Sequence, residues 1–328
     1  MAHSATATLP PSPPPFSPEA RQEAVCAVMV THCTGESLLQ TVPVLLQEAQ
    51  RLIIVDNCSD EETLRLLNLL TQRHAGRIEL LLRERNNLAA AQNDGIRRAL
   101  EEGYGWVLLM DHDSVPAPGM VASMREAWRT LPKREEIGIL APCLTDIHSG
   151  RQARYPQAAG KLRCKRIGFS NQPVLDGLMG VVASGSLIPA HILREVGMMD
   201  EALCIDYVDK DFCLRVVRSG YRIVAVRDAV LHHQLGHCRD HTLLGMHITT
   251  TNHSPQRCYY IYRNRLKSWG KHGAAMPAFV VYDFLAMSYD MIRLVCFEEQ
   301  KMAKLRAMAQ GFYDALRGIS GSAEATRL

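Results

Sequence analysis

The stretch Trp106-Val107-Leu108-Leu109-Met110-Asp111-His112-Asp113-Ser114 decides the fold of this chain. Its apolar run reads as a buried strand leaving a sheet, which puts Asp111 and Asp113 at the strand's C-terminal edge. Alternate carboxylates projecting from one small turn can share a hard divalent cation through their oxygens. In open α/β sheets, ligands bind at that same edge. The pair therefore points to a metal gripping a diphosphate.

Upstream, strand-like and helix-like segments alternate. Residues 25–30 form an apolar run, followed by a polar turn at 31–35 and a helix to about residue 49. Residues 52–55 read as a second buried strand, closing on Asp56-Asn57, and 61–72 have helical spacing. A third strand at 78–82 precedes an alanine-rich amphipathic helix at 88–102, with Gly103 as its stop. With 106–110 as the fourth strand, the order β-α-β-α-β-α-β predicts a doubly wound, mostly parallel sheet covered by helices on both faces. Right-handed crossovers then bring the strand ends to one edge. Thr31, Asp56 and Asp111 are expected to meet there.

The second half is less regular. Residues 181–189 read as a strand interrupted by a bend at Ser184-Gly185-Ser186, 206–220 as a helix and 221–226 as another strand. From about residue 263 the pattern is helical and amphipathic. The expected organisation is a Pro/Ala/Ser-rich leader at 1–21 unable to build a core, a catalytic domain at 22–265, and a helical region at 266–328 that faces either the domain or a membrane.

The net charge of +3 in 328 residues is too small to argue for a nucleic-acid groove. The ten cysteines include no C-x-x-C pair and mostly sit inside apolar patterns, which reads as reduced thiols in a cytoplasmic protein. Residues 1–20 show no secretory signal. The segment most like a membrane span, 277–297, carries Asp283, Asp290 and Arg293. Burying those charges in a bilayer is costly, so a peripheral interfacial helix or a helix packed on the domain are the readings left open.

Several residues could carry chemistry. Asp56, at a strand end, reads either as a helix N-cap or as a carboxylate holding a nucleotide base or ribose. No G-x-G-x-x-G follows the first strand and there is no Walker A loop. Carboxylates repel phosphate unless a cation intervenes, so the diphosphate would be bridged by metal. Asp206, Asp209 and Asp211 read either as a solvated helix start or, drawn inward by Tyr207, Val208 and Phe212, as the home of a general base with a raised pKa. His232, His233, His237, His241 and Cys238 match no standard zinc spacing. One histidine completing the aspartate-bound metal is preferred. Tyr259, Tyr260, Tyr262, Arg263 and Arg265 form either a nucleotide-stacking patch or an ordinary helix with snorkelling arginines.

Taken together these residues resemble glycosyltransferase family 2 with a GT-A fold, and most closely its bacterial rhamnosyltransferases. The matching motifs are V-T-H at 30–32, I-V-D-N at 54–57, A-A-A-Q-N-D-G-I at 89–96, L-M-D-H-D-S at 109–114, A-S-G-S-L-I-P at 183–189, V-G-M-M-D-E-A-L-C-I-D-Y-V-D at 196–209 and H-S-P-Q-R-C-Y-Y-I-Y-R-N at 253–264. The resemblance implies a GT-A catalytic domain plus C-terminal amphipathic helices. It implies a donor site of Thr31, Asp56, Asn57, Asn93, Asp111 and Arg263, the last with Asn264 near the diphosphate. It implies Asp113 and His233 as metal ligands, with His233 in an H-x-x-G context ending at Gly236. Asp209 would be the general base, and Ser184, Gly185 and Asp211 would lie on the acceptor side. The cofactor would be Mg²⁺ or Mn²⁺, the donor dTDP-L-rhamnose, and the acceptor a glycan or glycolipid: an O-antigen-type glycan or a rhamnolipid. A peripheral contact with the cytoplasmic face of the inner membrane is left open.

The chain departs from the family pattern at Asn87, where relatives tend to have Gly before the helix; Asn tolerates the left-handed backbone such a turn would use. Two rivals remain: a non-catalytic nucleotide-sugar binding module, and a sugar-nucleotide nucleotidyltransferase. Asp209 in register argues against the first. The absence of Lys or Arg in residues 31–37 argues against the second.

Overall fold

The computed structural model describes residues 17–147, 149–233, 239–243, 246–250 and 252–322. After a short helix α1 (Pro18–Glu23), strands and helices alternate as β1 (Val25–Thr31), α2 (Leu38–Glu48), β2 (Arg51–Asn57), α3 (Glu61–Arg73), β3 (Ile78–Arg83), α4 (Leu88–Glu101) and β4 (Trp106–Asp111). Next come β5 (Ser114–Pro116), α5 (Met120–Thr130), β6 (Ile137–Asp146), the hairpin β7 (Tyr155–Ala158) and β8 (Cys164–Ile167), then β9 (Val174–Leu175), β10 (Leu187–Pro189) and α6 (Ala190–Glu195). The chain continues through α7 (Val208–Arg218), β11 (Arg222–His233), the pair β12 (Arg239–Leu243) and β13 (Met246–Thr250), and helices α8 (Pro255–His272), α9 (Pro277–Phe297) and α10 (Lys301–Leu316).

The central sheet runs β3-β2-β1-β4-β10-β6-β11-β5, with β9 beside β11. β1 is parallel to β2 and to β4, in a register that sets Thr31 opposite Asp56 and Val30 opposite Asp111. β10 is antiparallel to both β4 and β6, so β6 and its parallel neighbour β11 run in the same direction as β4. The C-terminal ends of β1, β2, β4, β6 and β11 therefore share one edge. Both sheet faces are buried. Cys26, Val28, Ile53 and Val55 belong to the apolar layer that includes α4, whereas Ala27, Met29, Leu52 and Ile54 belong to the layer that includes α2 and α3. That alternation is the period of two along a strand, and it explains why these strands read as continuous apolar runs.

The structure departs from the sequence reading in several places. β6 is a ten-residue strand in a stretch to which the sequence reading assigned no element. Gly138 is needed because a Cβ there would meet Val216 Cγ1 at 2.6 Å, so α7 lies close on this strand. Within 181–189 only β10 is a strand. Gly185 has φ +81, and a Cβ on it would come within 2.6 Å of Pro142 and 2.7 Å of Leu231. β11 runs on past the expected 226 to His233, through a register irregularity between Val226 and Val230. α8 starts at Pro255, where the Ser254 hydroxyl accepts from Arg257 N at 3.2 Å. The boundary expected between 265 and 266 thus falls inside a continuous helix. The end of the expected leader is helical and tied down: Arg21 donates to Glu102 O at 2.9 Å and accepts from Gly105 N at 3.0 Å. Asn87 is extended (φ −155) and caps α4, its Oδ1 accepting from Ala90 N at 3.0 Å. No left-handed turn is used there. Among the described residues, no helix is long and apolar enough to cross a membrane.

Candidate active site

The shared strand edge gathers functional side chains from β1, β2, β4 and β11. Thr31, at the end of β1, is fully buried and donates its hydroxyl to Asp56 Oδ1 at 3.1 Å. Ser59 N donates to the other Asp56 oxygen at 3.0 Å. Thr31 therefore lies behind Asp56 and orients it. Asn57, also buried, holds the start of α4 by donating to Asn86 Oδ1 and accepting from Asn87 N, both at 2.9 Å.

Asp111 closes β4 and Asp113 follows it. Together with His233, at the end of β11, they bring one ligand atom each to within 4.8 Å of one another. Two carboxylates and an imidazole suit a divalent cation such as Mg²⁺ or Mn²⁺. Electrostatics agree: burial, reinforced by the negative charges of Asp113 and Asp209, pushes the Asp111 carboxyl up to about 7. A cation is what such a crowd of carboxylates needs in order to stay ionised.

Behind the group runs a relay that the sequence reading missed. Asp111 N donates to Ser184 Oγ (3.1 Å), Ser184 Oγ donates to Ser114 Oγ (3.0 Å), and Ser114 Oγ pairs with His233 Nδ1 (2.7 Å). With Nδ1 donating its proton to Ser114, Nε2 becomes the ligating nitrogen, a tautomer assigned here from its partner. Ser184 and Ser114 are both buried. Of the two residues expected on the acceptor side, Ser184 thus hydrogen-bonds behind the Asp111–Asp113–His233 group, and Gly185 N donates to Leu109 O at 2.7 Å. Gln234–Cys238, including Gly236 of the H-x-x-G context, and the side chain of His241 lie outside the described residues.

Asp209 opens α7 from a wall that includes Leu109, Ile139, Val181, Met199 and Phe212. Burial raises its pKa, against the pull of Lys210's charge and backbone N–H (2.8 Å). A carboxylate with a raised pKa, aimed from a helix start, is suited to accept a proton. Its charge also acts on Asp111, so the two acidic halves lie within electrostatic reach of one another.

Three further candidates sit elsewhere. Asp211 is buried and faces α8: it accepts from Arg215 Nε, Lys271 Nζ and His272 Nε2, each at 2.8 Å. Burial alone would raise its pKa, but these bonds outweigh it and hold the carboxyl well below the usual range. Three of its roughly four acceptor positions are thus taken by side chains of α7 and α8. Asn93 clamps the loop after α6, donating to Met199 O (3.0 Å) and Glu201 Oε1 (2.8 Å) and accepting from Met199 N (2.8 Å). Arg263 is buried, with its donors on Asn264 Oδ1 (3.0 Å), Gly321 O (2.6 Å), Ala202 O (3.3 Å) and Leu203 O (3.1 Å). Asn93 and Arg263, both expected at the donor, are bonded here to the loop between α6 and α7. The tyrosines beside Arg263 are buried too, which settles that helix as packed rather than as a stacking patch.

Comparison with known proteins follows this geometry. Residues 26–179 match the model of glycosyl transferase family 2. The dTDP-rhamnosyl transferase RfbF of Shigella flexneri is 26% identical over 249 residues, covering 75% of this chain and 80% of that protein. S. aureus TarS 1-349, solved in complex with UDP-GlcNAc, superposes with a TM-score of 0.56 at 12% identity, over 89% of this chain and 81% of that one. GalNAc-T7, solved with UDP, GalNAc and Mn²⁺, superposes with a TM-score of 0.57 at 15% identity, over 90% of this chain. The match spans 56% of the GalNAc-T7 chain. The structural likenesses carry the fold, which is GT-A.

Proposed function

We propose that this glycosyltransferase, a GT-A chain with its family 2 domain at residues 26–179, moves L-rhamnose from dTDP-L-rhamnose to a hydroxyl of a glycan or glycolipid with inversion at the anomeric carbon. The observation that carries the reading is the meeting of Asp56, the Asp111–Asp113–His233 group and Asp209 around one strand edge. The likeness to a dTDP-rhamnosyl transferase over three quarters of the chain supports the choice of donor.

In this reading Asp56, held by Thr31 and Ser59 N, receives the thymidine end of the donor. Asp111, Asp113 and His233 would hold Mg²⁺ or Mn²⁺, which when bound supplies Lewis-acid stabilisation of the leaving diphosphate. Asp209 orients the acceptor hydroxyl and takes its proton as the oxygen attacks the anomeric carbon opposite the breaking bond to the diphosphate. The apolar wall around Asp209 keeps competing water away from that proton. The catalytic unit runs from about residue 22 through α8, and the free cysteines among the described residues suit a reducing cytoplasm.

Incubation with labelled dTDP-L-rhamnose tests the reading. An O-antigen-type glycan and a rhamnolipid precursor, offered side by side, decide the acceptor. Transfer supports the proposal, binding without turnover supports a binding module, and nucleotide release driven by pyrophosphate supports a nucleotidyltransferase. In the same assay Asp209→Asn is expected to lose transfer by about 10²–10⁴-fold and to keep its affinity for dTDP. Transfer at the wild-type rate would remove Asp209 from the role of base.

A further inference from the structure

A cavity of about 500 Å³ opens between the end of β6 and the β7–β8 hairpin, and Asp146, Arg151, Arg154, Arg166 and His233 are among the residues that line it. His233 belongs at once to this cavity and to the metal-competent group. The lining holds three arginines and a single carboxylate, and that carboxylate, Asp146, is already engaged by Ser149 Oγ at 2.5 Å. Two of the guanidiniums are preset: Arg154 Nη2 donates to Arg166 O at 2.7 Å, and Arg166 Nη2 to Arg154 O at 3.0 Å. Each of these bonds uses one of the five N–H donors of a guanidinium. The planar forks that remain match the oxygens of a phosphate.

We propose that this cavity binds a phosphoryl group carried by the acceptor, beside the hydroxyl that receives the sugar. The proposal rests on the transferase reading above and names what its acceptor must carry. The sheet order separates the cavity from the donor's nucleoside end. Thr31 and Asp56 stand on β1 and β2, while β6 and β11 lie on the other side of β4. Two carriers present this chemistry: a soluble sugar phosphate and a lipid phosphate. The second is included because α9 packs on β8 and exposes Val281, Phe284, Leu285 and Ile292.

Calorimetry on the full chain, preloaded with dTDP and Mg²⁺ so that the donor site is filled, tests it. The probes are N-acetylglucosamine 1-phosphate and farnesyl phosphate, each set against its phosphate-free counterpart, N-acetylglucosamine or farnesol. At least one phosphate ester is expected to bind about tenfold or more tightly than its counterpart. Arg151→Gln, an exposed and fold-neutral change, is expected to erase that advantage without altering dTDP affinity. Whichever ester keeps the advantage identifies the carrier. No advantage for either phosphate, or an advantage that survives Arg151→Gln, overturns the proposal. An advantage seen only without dTDP also overturns it, because the cavity would then belong to the donor diphosphate. Failure of wild-type protein to bind dTDP at all is a separate result, against the donor reading.

Discussion

Ser114 shows how much at this site depends on a residue that does no chemistry itself. Its hydroxyl links Ser184, and through it the Asp111 backbone, to Nδ1 of His233. A histidine held by its other nitrogen presents a fixed lone pair to a metal, and loss of such a partner typically costs about 10–100-fold in metal affinity. Ser114→Ala is therefore expected to weaken Mn²⁺ binding by about that factor, read by calorimetric titration. Unchanged affinity would show that His233 needs no support from Ser114. The acidic pair itself was legible because two carboxylates ending an apolar run form a local pattern. The relay was not, because Ser184 lies 70 residues beyond Ser114. Only folding brings them together.

At the scale of elements, the loop between α6 and α7 is the piece that must be held against its own preference. Cys204 (φ 67), Asp206 (φ 58) and Tyr207 (φ 64) all adopt left-handed backbone angles, which non-glycine residues seldom do. α8 imposes the shape. Asn264 Nδ2 donates to Leu203 O (2.8 Å), Ile205 O (2.8 Å) and Asp206 O (3.1 Å), and Arg257 pairs with the Asp206 carboxylate. Asn264→Ala is expected to lower stability in urea unfolding by roughly 1–3 kcal/mol for each carbonyl left buried and unpaired. It should also slow transfer while dTDP binding persists, because Asp209 starts the helix that this loop leads into. If stability and transfer both match wild type, α8 does not hold the loop. The motif at 253–264 was legible in the sequence as a unit. Its meaning was not, since an Arg-Asn pair beside tyrosines looks the same whether it grips a diphosphate or a neighbouring loop.

For the molecule as a whole, the first four strands and their helices were legible because every apolar run was long and cleanly punctuated. The second half was less so, for physical reasons that differ by element. β6 hides behind a glycine required by close packing, and β10 is too short and reversed to follow the alternating pattern. Besides the bonds of Arg263 and Asn264, two buried carboxylates join the C-terminal helices to the sheet domain, and their partners were invisible in sequence. Asp211 on α7 meets Arg215, Lys271 and His272, and Arg218 Nη1 also donates to His272 Nδ1 at 3.3 Å, so Nε2 is the nitrogen that donates to Asp211. Asp283 on α9 accepts from Tyr207 Oη (2.8 Å), Trp269 Nε1 (2.8 Å), Arg265 Nε (3.1 Å) and Lys210 Nζ (3.3 Å). Burial works against both charges, yet the surrounding cations and donors hold both carboxyls below the ordinary aspartate range. An unfolded aspartate titrates near about 3.9. Below that value the unfolded chain binds more protons than the folded one, so stability falls as pH falls. The contribution of these two groups is thus fully present above about pH 4 and is lost as pH drops through their lower folded values. Melting temperature is expected to decline steeply below about pH 4. Asp283→Asn should be less stable at neutral pH and should show a shallower decline on the acid side, since one of the two carboxylates is already gone. Parallel acid limbs for the variant and wild type would mean that Asp283 does not couple α9 to the domain through its charge.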